Sequence, residues 1–323
     1  MNAAQEFIYT RTYSRWKPEE KRRETWPETA QRYLDFMDES LPGMLSDSNK
    51  ETTIKHIVGM EVMPSMRAMW AAGDAARNNS FTTYNCSFVA VNCVEAFAET
   101  LFILMCGTGV GFSIEREYVD ELPEIKPRTG NTYNVIVEDS REGWYKALLS
   151  LMIYMFSGDD VTIDYSLLRP RGARLIRFGG RSSGPEPLRD LFEYIKAGFE
   201  DKRQKKQRRL LPIDCLDIQT KIAEVVVAGG VRRSSEISLS DLDDRLVGEA
   251  KMGEFWNDHP HRAMSNNSAV YSGLPDVTTF LEQFTTLIKS KAGERGIFNR
   301  EGARKQMMMS GRRKDYPIIG TNP

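Results

Sequence analysis

The feature that most constrains the fold is an alternation of helical segments with short apolar runs punctuated by glycine. Residues 95–106 have the continuous apolar character of a buried helix, and they lead into Gly107-Thr108-Gly109-Val110-Gly111, where a strand is predicted to begin. Such an alternation predicts an α/β fold with a mostly parallel sheet. The same pattern continues in a helix over residues 140–156, a strand over residues 161–165 and a helix over residues 214–227 that ends at Gly229-Gly230.

The N-terminal residues have a different texture, because they are polar and lack the short apolar runs that follow. Pro27 marks a helix start, and apolar residues follow it at helical spacing as far as Leu41. A chain of 323 residues allows roughly two domains at ~150 residues each. We therefore expect a helical N-terminal region at residues 1–55 and an α/β region at residues 56–323.

Charge and cysteine content exclude several classes of protein. Lys and Arg number 44 against 45 Asp and Glu, and proteins that bind nucleic acid as their main ligand are usually more basic. Four cysteines do not make a disulfide framework, so a cytoplasmic, reducing compartment is expected. The most apolar stretch, residues 144–156, is shorter than the ~20 residues of a membrane span and contains Lys146. We expect neither a nucleic-acid nor a membrane partner.

Two common kinds of catalytic site are also disfavoured. His56, His259 and His261 form no helical i,i+4 pair, and Cys86 and Cys93 are not in CxxC spacing. A serine hydrolase of the nucleophile-elbow type needs G-x-S-x-G, which does not occur. Because neither the histidines nor the cysteines have the spacing of metal ligands, no protein-ligated metal is expected.

Three glycine-containing loops favour an anionic ligand. Gly107-Thr108-Gly109-Val110-Gly111 leaves backbone N–H groups open to an anion, although a tight helix-to-strand junction explains the same pattern. Gly179-Gly180-Arg181-Ser182-Ser183-Gly184-Pro185 and Gly229-Gly230-Val231-Arg232-Arg233-Ser234-Ser235 add arginines and hydroxyl donors. Together the loops indicate a polyanionic ligand such as a nucleotide.

The basic run and the cysteines each allow more than one interpretation. The basic run over residues 202–209 is either a solvated helix end or a phosphate-binding patch. Cys86 stands in a polar stretch where a ligand could reach a thiol, or it is a small buried hydrophobe. Cys106 and Cys215 lie in apolar helical contexts and are predicted to belong to the core.

A set of short motifs occurs in order along the chain: Met63-Pro64-Ser65-Met66-Arg67, Asn85-Cys86-Ser87, Gly107 to Gly111, Phe178-Gly179-Gly180 with Ser183-Gly184-Pro185, Gly229-Gly230-Val231-Arg232-Arg233-Ser234, Ser265-Asn266-Asn267-Ser268 and Gly320-Thr321-Asn322-Pro323. In this order they resemble the N-terminal half of a ribonucleotide reductase large subunit. Two segments near the start, Arg11-Thr12-Tyr13-Ser14-Arg15-Trp16 and Arg22-Arg23-Glu24-Thr25-Trp26, resemble the adenosylcobalamin-dependent (class II) ribonucleoside-triphosphate reductases. The likeness covers nearly the whole chain.

The resemblance implies a fold, which is a helical N-terminal region followed by the first half of a ten-stranded α/β barrel. A half-barrel leaves an open sheet edge and an uncovered apolar face, and both promote association. We therefore expect the chain to need a complementary C-terminal half.

The resemblance also implies an activity, the reduction of ribonucleoside triphosphates to deoxyribonucleotides by thiyl-radical chemistry. Adenosylcobalamin would be bound mainly by the C-terminal half, and a thioredoxin-type protein would be the reductant. Cys86 matches the first member of the reducing cysteine pair, which needs a thiol that can donate a proton and then join a disulfide. Asn322 matches an asparagine that hydrogen-bonds the ribose.

Further residues match binding positions of that family. Ser65, Asn85 and Gly109 match positions that hold the phosphates and ribose of the substrate. A deoxynucleotide effector would act through a specificity loop that contains Gly230, Arg232, Arg233 and Ser234.

The family motif continues after Pro323 into Cys-Gly-Glu, which supplies the radical cysteine and a glutamate base. We therefore expect the chain to be inactive alone, and its end to reflect an intein, a split gene or a partial sequence. Three alternatives stay open: a stand-alone nucleotide-binding fragment, a glycyl-radical relative built on the same barrel, and a diiron-radical class with a separate small subunit.

Overall fold

Helices dominate the first 85 residues, as the polar N-terminal sequence predicts. In the computed structural model, which describes residues 1–173, 181–228, 235–311 and 317–322, the chain forms an N-terminal unit, Met1–Asn85, and a sheet unit, Cys86–Pro323. The boundary expected after residue 55 follows the change in sequence texture and stays a prediction. The N-terminal unit contains α1 (Ala3–Thr12), β1 (Trp16–Lys17), β2 (Arg22–Arg23), α2 (Trp26–Ser40), α3 (Asp47–Val58), α4 (Met66–Ala71) and α5 (Asp74–Asn78).

The predicted helix start at Pro27 is confirmed by α2. Thr25 and Glu28 form a capping box in front of this helix, and Pro27 lies in its first turn. The buried face of α2 includes Ala30, which packs with Ile57 of α3 and with Met69 of α4 in a small core.

The sheet unit alternates strands and helices, as the sequence predicts. The elements are β3 (Cys86–Ala90), α6 (Glu95–Met105), β4 (Gly109–Ser113), α7 (Arg116–Val119), β5 (Thr132–Ile136), α8 (Arg141–Ser157), β6 (Asp160–Asp164), α9 (Glu186–Gln204), α10 (Pro212–Ala228), β7 (Glu236–Asp241), α11 (Arg245–Gly248), α12 (Phe255–Asp258), β8 (Ser265–Tyr271), α13 (Val277–Ser290), β9 (Gly296–Asn299) and α14 (Arg300–Met309). The predicted helices correspond to α6, α8 and α10, and the predicted strands correspond to β4 and β6. The described ends of each lie within about two residues of the predicted ones.

The main sheet has five parallel strands in the order β3-β4-β7-β8-β9. Parallel neighbours require crossover connections, and the helices between these strands supply them. The predicted α/β architecture with a parallel sheet is confirmed, whereas the half-barrel stays a prediction. Strands β5 and β6 pair with each other in a separate parallel sheet, so the strand predicted at residues 161–165 lies outside the main sheet.

The two faces of the main sheet have different environments. Val110 and Phe112 of β4 are fully buried and belong to the large core formed with α6, α8, α9 and α10. Because side chains alternate along a strand, Gly109, Gly111 and Ser113 lie on the opposite face. No helix in the described parts of the chain is long and apolar enough to cross a bilayer.

Candidate active site

The face of the sheet opposite the helical core carries the cysteine singled out by the sequence. Cys86 of β3 is in register with Gly109 of β4, and Phe88 is in register with Gly111 one row further along. Cys86 is half-buried at the start of its strand. Its thiol therefore lies beside a position without a side chain, which leaves room for a ligand on this face.

Residues 320–322, near the C-terminus, lie on this same face. A Cβ added to Gly111 would lie 1.9 Å from the carbonyl oxygen of Thr321, and one added to Gly320 would lie 2.0 Å from the ring of Phe88. Such distances are far inside van der Waals contact, so both positions require glycine. Glycine thus lets the segment lie directly on β3 and β4.

This arrangement brings Asn322 close to the row that contains Gly111. A Cβ added to Gly111 would lie 3.0 Å from the Cα atom of Asn322. Cys86 and Gly109 occupy the next row on the same face, and such rows are about 6.7 Å apart along a strand. Three residues that the resemblance assigns to the substrate site, Cys86, Gly109 and Asn322, therefore share one area of the sheet.

Ser65 and Asn85 belong to the N-terminal unit, where both are exposed. The hydroxyl oxygen of Ser65 accepts a hydrogen bond from the backbone N–H of Ala68 at 3.3 Å, so Ser65 caps α4. Its hydroxyl proton is not used by this cap and could be donated to a ligand oxygen. The roles of Ser65 and Asn85 in substrate binding stay predictions.

The predicted specificity loop falls outside the described residues, which omit 229–234. The omitted residues include Gly230, Arg232, Arg233 and Ser234. They also include the pair Gly229-Gly230, which the sequence predicts to end α10. The described flanks are α10, which ends at Ala228, and Ser235, whose carbonyl accepts a hydrogen bond from Val110 at 3.0 Å. Ser235 thus lies at the edge of the main sheet where β4 and β7 begin.

An ion pair at the opposite edge, where the strands end, was not predicted from the sequence. Arg300 donates to both carboxylate oxygens of Glu115, at 3.0 and 2.6 Å, and Ser113 donates to the same carboxylate at 2.7 Å. Arg300 also donates to the carbonyl oxygen of Ile319 at 3.2 Å. The sequence offers no signal for this cluster, because Glu115 and Arg300 are 185 residues apart.

A second unexpected group is the carboxyl of Glu236 at the start of β7. Glu236 is 2% exposed, and neither of its carboxyl oxygens has a hydrogen-bond partner. Burial raises the pKa of Glu236 well above its usual value, because desolvation favours the neutral, protonated carboxyl. In the sheet it lies between Val110 and Ser265, on the face that packs against the helices.

The other cysteines agree with the predictions made from their surroundings. Cys106 and Cys215 are buried, as expected for core residues, and burial raises the pKa of the Cys215 thiol. Cys93 is exposed. Cys86 differs from the core cysteines in being half-buried on the glycine-lined face, which suits a thiol that meets a ligand.

One group of side chains has the composition of a metal site. The nearest ligand atoms of Asp217, His259 and His261 lie within 4.8 Å of one another, a proximity that the spacing of the histidines did not predict. The Arg262 guanidinium, however, donates to both oxygens of Asp217 at 2.6 and 2.8 Å. A cation would have to displace this charge, so the cluster is better suited to hold α10 against the turn before β8 than to bind a metal.

The basic run at residues 202–209 is engaged by the protein itself. Lys202 is 7% exposed and pairs with Asp214 at 2.6 Å, and Arg203 donates to the backbone carbonyl oxygens of Lys126 and Met155. Arg209 donates to the carbonyl of Asp120 at 2.8 Å. These contacts favour the interpretation of a helix end that packs on its surroundings over a phosphate patch.

Comparison with protein families matches two separate parts of the chain. Residues 1–74 match the ribonucleotide reductase alpha domain, and residues 119–198 match the insertion domain of B12-dependent ribonucleotide reductases. The second match contains β5, α8 and β6, which explains why these strands are apart from the main sheet. The sequence patterns predicted the elements here but gave no sign of an insertion.

Similar proteins carry the same name in distant organisms. The adenosylcobalamin-dependent ribonucleoside-triphosphate reductase of Euglena gracilis is 30% identical over 100% of this chain and 46% of the relative. That of Levilactobacillus brevis is 28% identical over 98% of this chain and 51% of the relative. A crystal structure of a B12-dependent (class II) ribonucleotide reductase aligns with a TM-score of 0.69 and 26% identity, over 82% of this chain and 45% of that one. The chain spans about half the length of the curated relatives it matches.

Proposed function

Because this chain belongs to the ribonucleotide reductase family, we propose that it supplies the substrate-binding half of an adenosylcobalamin-dependent ribonucleoside-triphosphate reductase. The observation that carries the proposal is the shared position of Cys86, Gly109 and Asn322 on one face of the sheet. A thiol, a backbone without side chains and an amide are the groups needed to reduce and hold a ribose.

In this proposal Cys86 provides one of the two thiols that reduce the substrate. The C2′–O bond breaks and a C2′–H bond forms: of the two thiol hydrogens, one leaves with the 2′-hydroxyl as water, the other balances the new C2′–H bond, and the two sulfurs join in a disulfide. A thioredoxin-type reductant then restores the dithiol by thiol–disulfide exchange. Bound adenosylcobalamin would supply radical initiation, and we assign no described residue of this chain to that cofactor.

The other residues bind and orient the nucleotide. The amide of Asn322 can both donate to and accept from ribose hydroxyls. The backbone at Gly109, and the hydroxyl of Ser65 in the N-terminal unit, would hold phosphate or ribose oxygens. The loop with Gly230, Arg232, Arg233 and Ser234 would bind a deoxynucleotide effector, for which fixed positive charge and a flexible backbone are suitable.

The need for a complementary half is supported by exposed apolar surface in the sheet unit. None of the residues of α13 is buried, and an apolar stripe along it is exposed. Strand β9 lies at the end of the main sheet, and its Ile297 is 60% exposed. A second polypeptide that continues the sheet would cover this surface. The residues of the stripe are Val277, Phe280, Leu281, Phe284 and Ile288.

Substitution of the proposed reducing cysteine tests this function. The chain is combined with a polypeptide that carries the other half of the reductase, and ribonucleoside triphosphate reduction is measured with adenosylcobalamin and a dithiol reductant. Cys86→Ser should lower turnover at least ~100-fold, because a hydroxyl cannot form the disulfide. Substrate affinity should change little.

The matched control is Cys93→Ser, which replaces an exposed cysteine without a proposed role. This variant should keep the parental turnover. Equal losses in the two variants, or full turnover by Cys86→Ser, would contradict the role given to Cys86. Turnover without adenosylcobalamin would contradict the proposed class of reductase.

A further inference from the structure

The ion pair between Glu115 and Arg300 joins the end of β4 to the end of β9. It lies next to the C-terminal segment of the chain, at Ile319. Glu115 follows β4, and Arg300 begins α14 directly after β9. Strands β7 and β8 lie between β4 and β9 in the sheet. The pair therefore crosses the edge formed by the ends of the strands.

The pair is held by several hydrogen bonds and is largely shielded from water. The side chain of Glu115 is 5% exposed and that of Arg300 is 18% exposed. Two parallel hydrogen bonds fix the plane of the guanidinium, and the hydroxyl of Ser113 holds the carboxylate from the other side. A buried pair with this two-pronged geometry defines a position better than a single ion contact does.

Arg300 uses the same Nη2 atom to reach the C-terminal segment. That atom donates to Glu115 and also to the carbonyl oxygen of Ile319 at 3.2 Å. Gly320 follows immediately and lies against the ring of Phe88, and Thr321 then lies against Gly111. The segment is thus held by one hydrogen bond, at Ile319, and by two close contacts, at Gly320 and Thr321. All three positions lie within three residues of Asn322.

We propose that Glu115 and Arg300 are positioning residues, which set the place of residues 319–322 on the sheet and through it the place of Asn322. The two residues act on the backbone of Ile319 and have no role in contacting the substrate. The consequence for turnover rests on the proposed function, whereas the effect on the segment does not depend on it.

The first test measures order in the segment of the chain itself. Backbone 15N order parameters are recorded for Ile319, Gly320 and Thr321, together with the melting temperature. Arg300→Lys keeps the charge but loses the fork, so these order parameters should fall from ~0.85 to below ~0.6 while those of β4 stay unchanged. Glu115→Gln should have the same local effect.

Two further variants keep this test decisive. Arg116→Gln removes an exposed ion pair with Asp243 at the same edge of the sheet and should leave the segment ordered. Gly320→Ala disturbs the segment while the Glu115–Arg300 pair stays intact, and it should also loosen residues 319–321. A lower melting temperature in Arg300→Lys with an ordered segment would overturn the proposal, because the pair would then be merely structural.

The second test uses the reductase assembled with its complementary half. Arg300→Lys should lower kcat by about 100-fold with little change in KM, because a misplaced site loses rate more than affinity. A loosened segment with parental kcat would overturn the catalytic consequence. A loosened segment in a system where the parental protein shows no reduction would leave the positioning role supported and reject the proposed function instead.

Discussion

Gly111 and Gly320 are positions where the absence of a side chain decides the local structure. Each allows a close approach that any Cβ would block, and each was part of a motif quoted from the sequence. The motif alone left the Gly107–Gly111 segment open between an anion loop and a helix-to-strand junction. The structure shows the junction, with α6 ending at Met105 and β4 beginning at Gly109. Its glycines also make room for the C-terminal segment.

The buried carboxyl of Glu236 makes stability depend on pH. Its pKa is raised in the folded chain, so between the ordinary glutamate pKa and the raised value the folded state binds a proton that the unfolded state has lost. Stability from this group is therefore lost as pH rises above about 4.3, with a slope of up to about 1.4 kcal/mol per pH unit. Glu236→Gln should remove this loss, which urea unfolding at pH 5, 6.5 and 8 would measure.

The matched control for this prediction is Glu282→Gln, at an exposed glutamate on α13. Its stability should follow the pH dependence of the parental chain. If Glu236→Gln showed the same dependence as the control, the carboxyl of Glu236 would be ionised in the folded state.

At the level of elements, α13 differs from the other long helices of the sheet unit. Helices α8, α9 and α10 each bury several apolar residues in the large core, whereas α13 buries none. It is still well formed, since the carboxylate of Asp276 caps it by accepting from the backbone N–H of Thr279 at 3.0 Å. Much of its apolar stripe is therefore exposed and available to another surface.

Polar substitution on the α13 stripe should reduce self-association with only a modest loss of stability. The rings of Phe280 and Phe284 stack with their centroids 6.2 Å apart, and both side chains are partly exposed. The double variant Phe280→Gln and Phe284→Gln should lower the free energy of unfolding by about 2 kcal/mol or less, because each ring is only about half covered. Sedimentation velocity should show fewer oligomers than the parental chain does.

Thr285→Gln, at an exposed polar position of the same helix, is the control and should leave association unchanged. A loss of several kcal/mol in the double variant would show that the stripe is packed against this chain. Unchanged association would show that the stripe is not the contact surface.

At the scale of the whole molecule, a nucleotide can bind either to this chain alone or only to the assembled reductase. Its relatives are about twice as long, and the predicted effector loop lies within this chain. A stand-alone nucleotide-binding fragment would bind a deoxynucleotide without any partner. A half-enzyme would bind it only once the second polypeptide has completed the fold.

Thermal unfolding with and without deoxynucleoside triphosphates separates these alternatives. A ligand at 100 times its Kd stabilises the folded state by about 2.7 kcal/mol. We expect this shift only when the complementary half is present, and we expect the double variant Arg232→Ala and Arg233→Ala to abolish it. Arg245→Ala, at an exposed arginine, should keep the shift. A full shift with the isolated chain would favour the nucleotide-binding fragment.

The sequence by itself predicted the parallel α/β class, the helices α2, α6, α8 and α10, the strands β4 and β6, and the likeness to ribonucleotide reductases. Apolar spacing is a local property, so it predicted α6, α8 and α10 from neighbouring residues alone. Ordered motifs likewise identified Cys86, Gly109 and Asn322 one by one.

Only the tertiary structure decided which of these residues come together. Strand register puts Cys86 beside Gly109, and the close contact of Thr321 with Gly111 puts Asn322 near that glycine. The Glu115–Arg300 pair and the unpartnered carboxyl of Glu236 also depend on contacts between segments far apart in the chain. Local patterns carry no information about such contacts, because distant segments meet only after strand order and register are set.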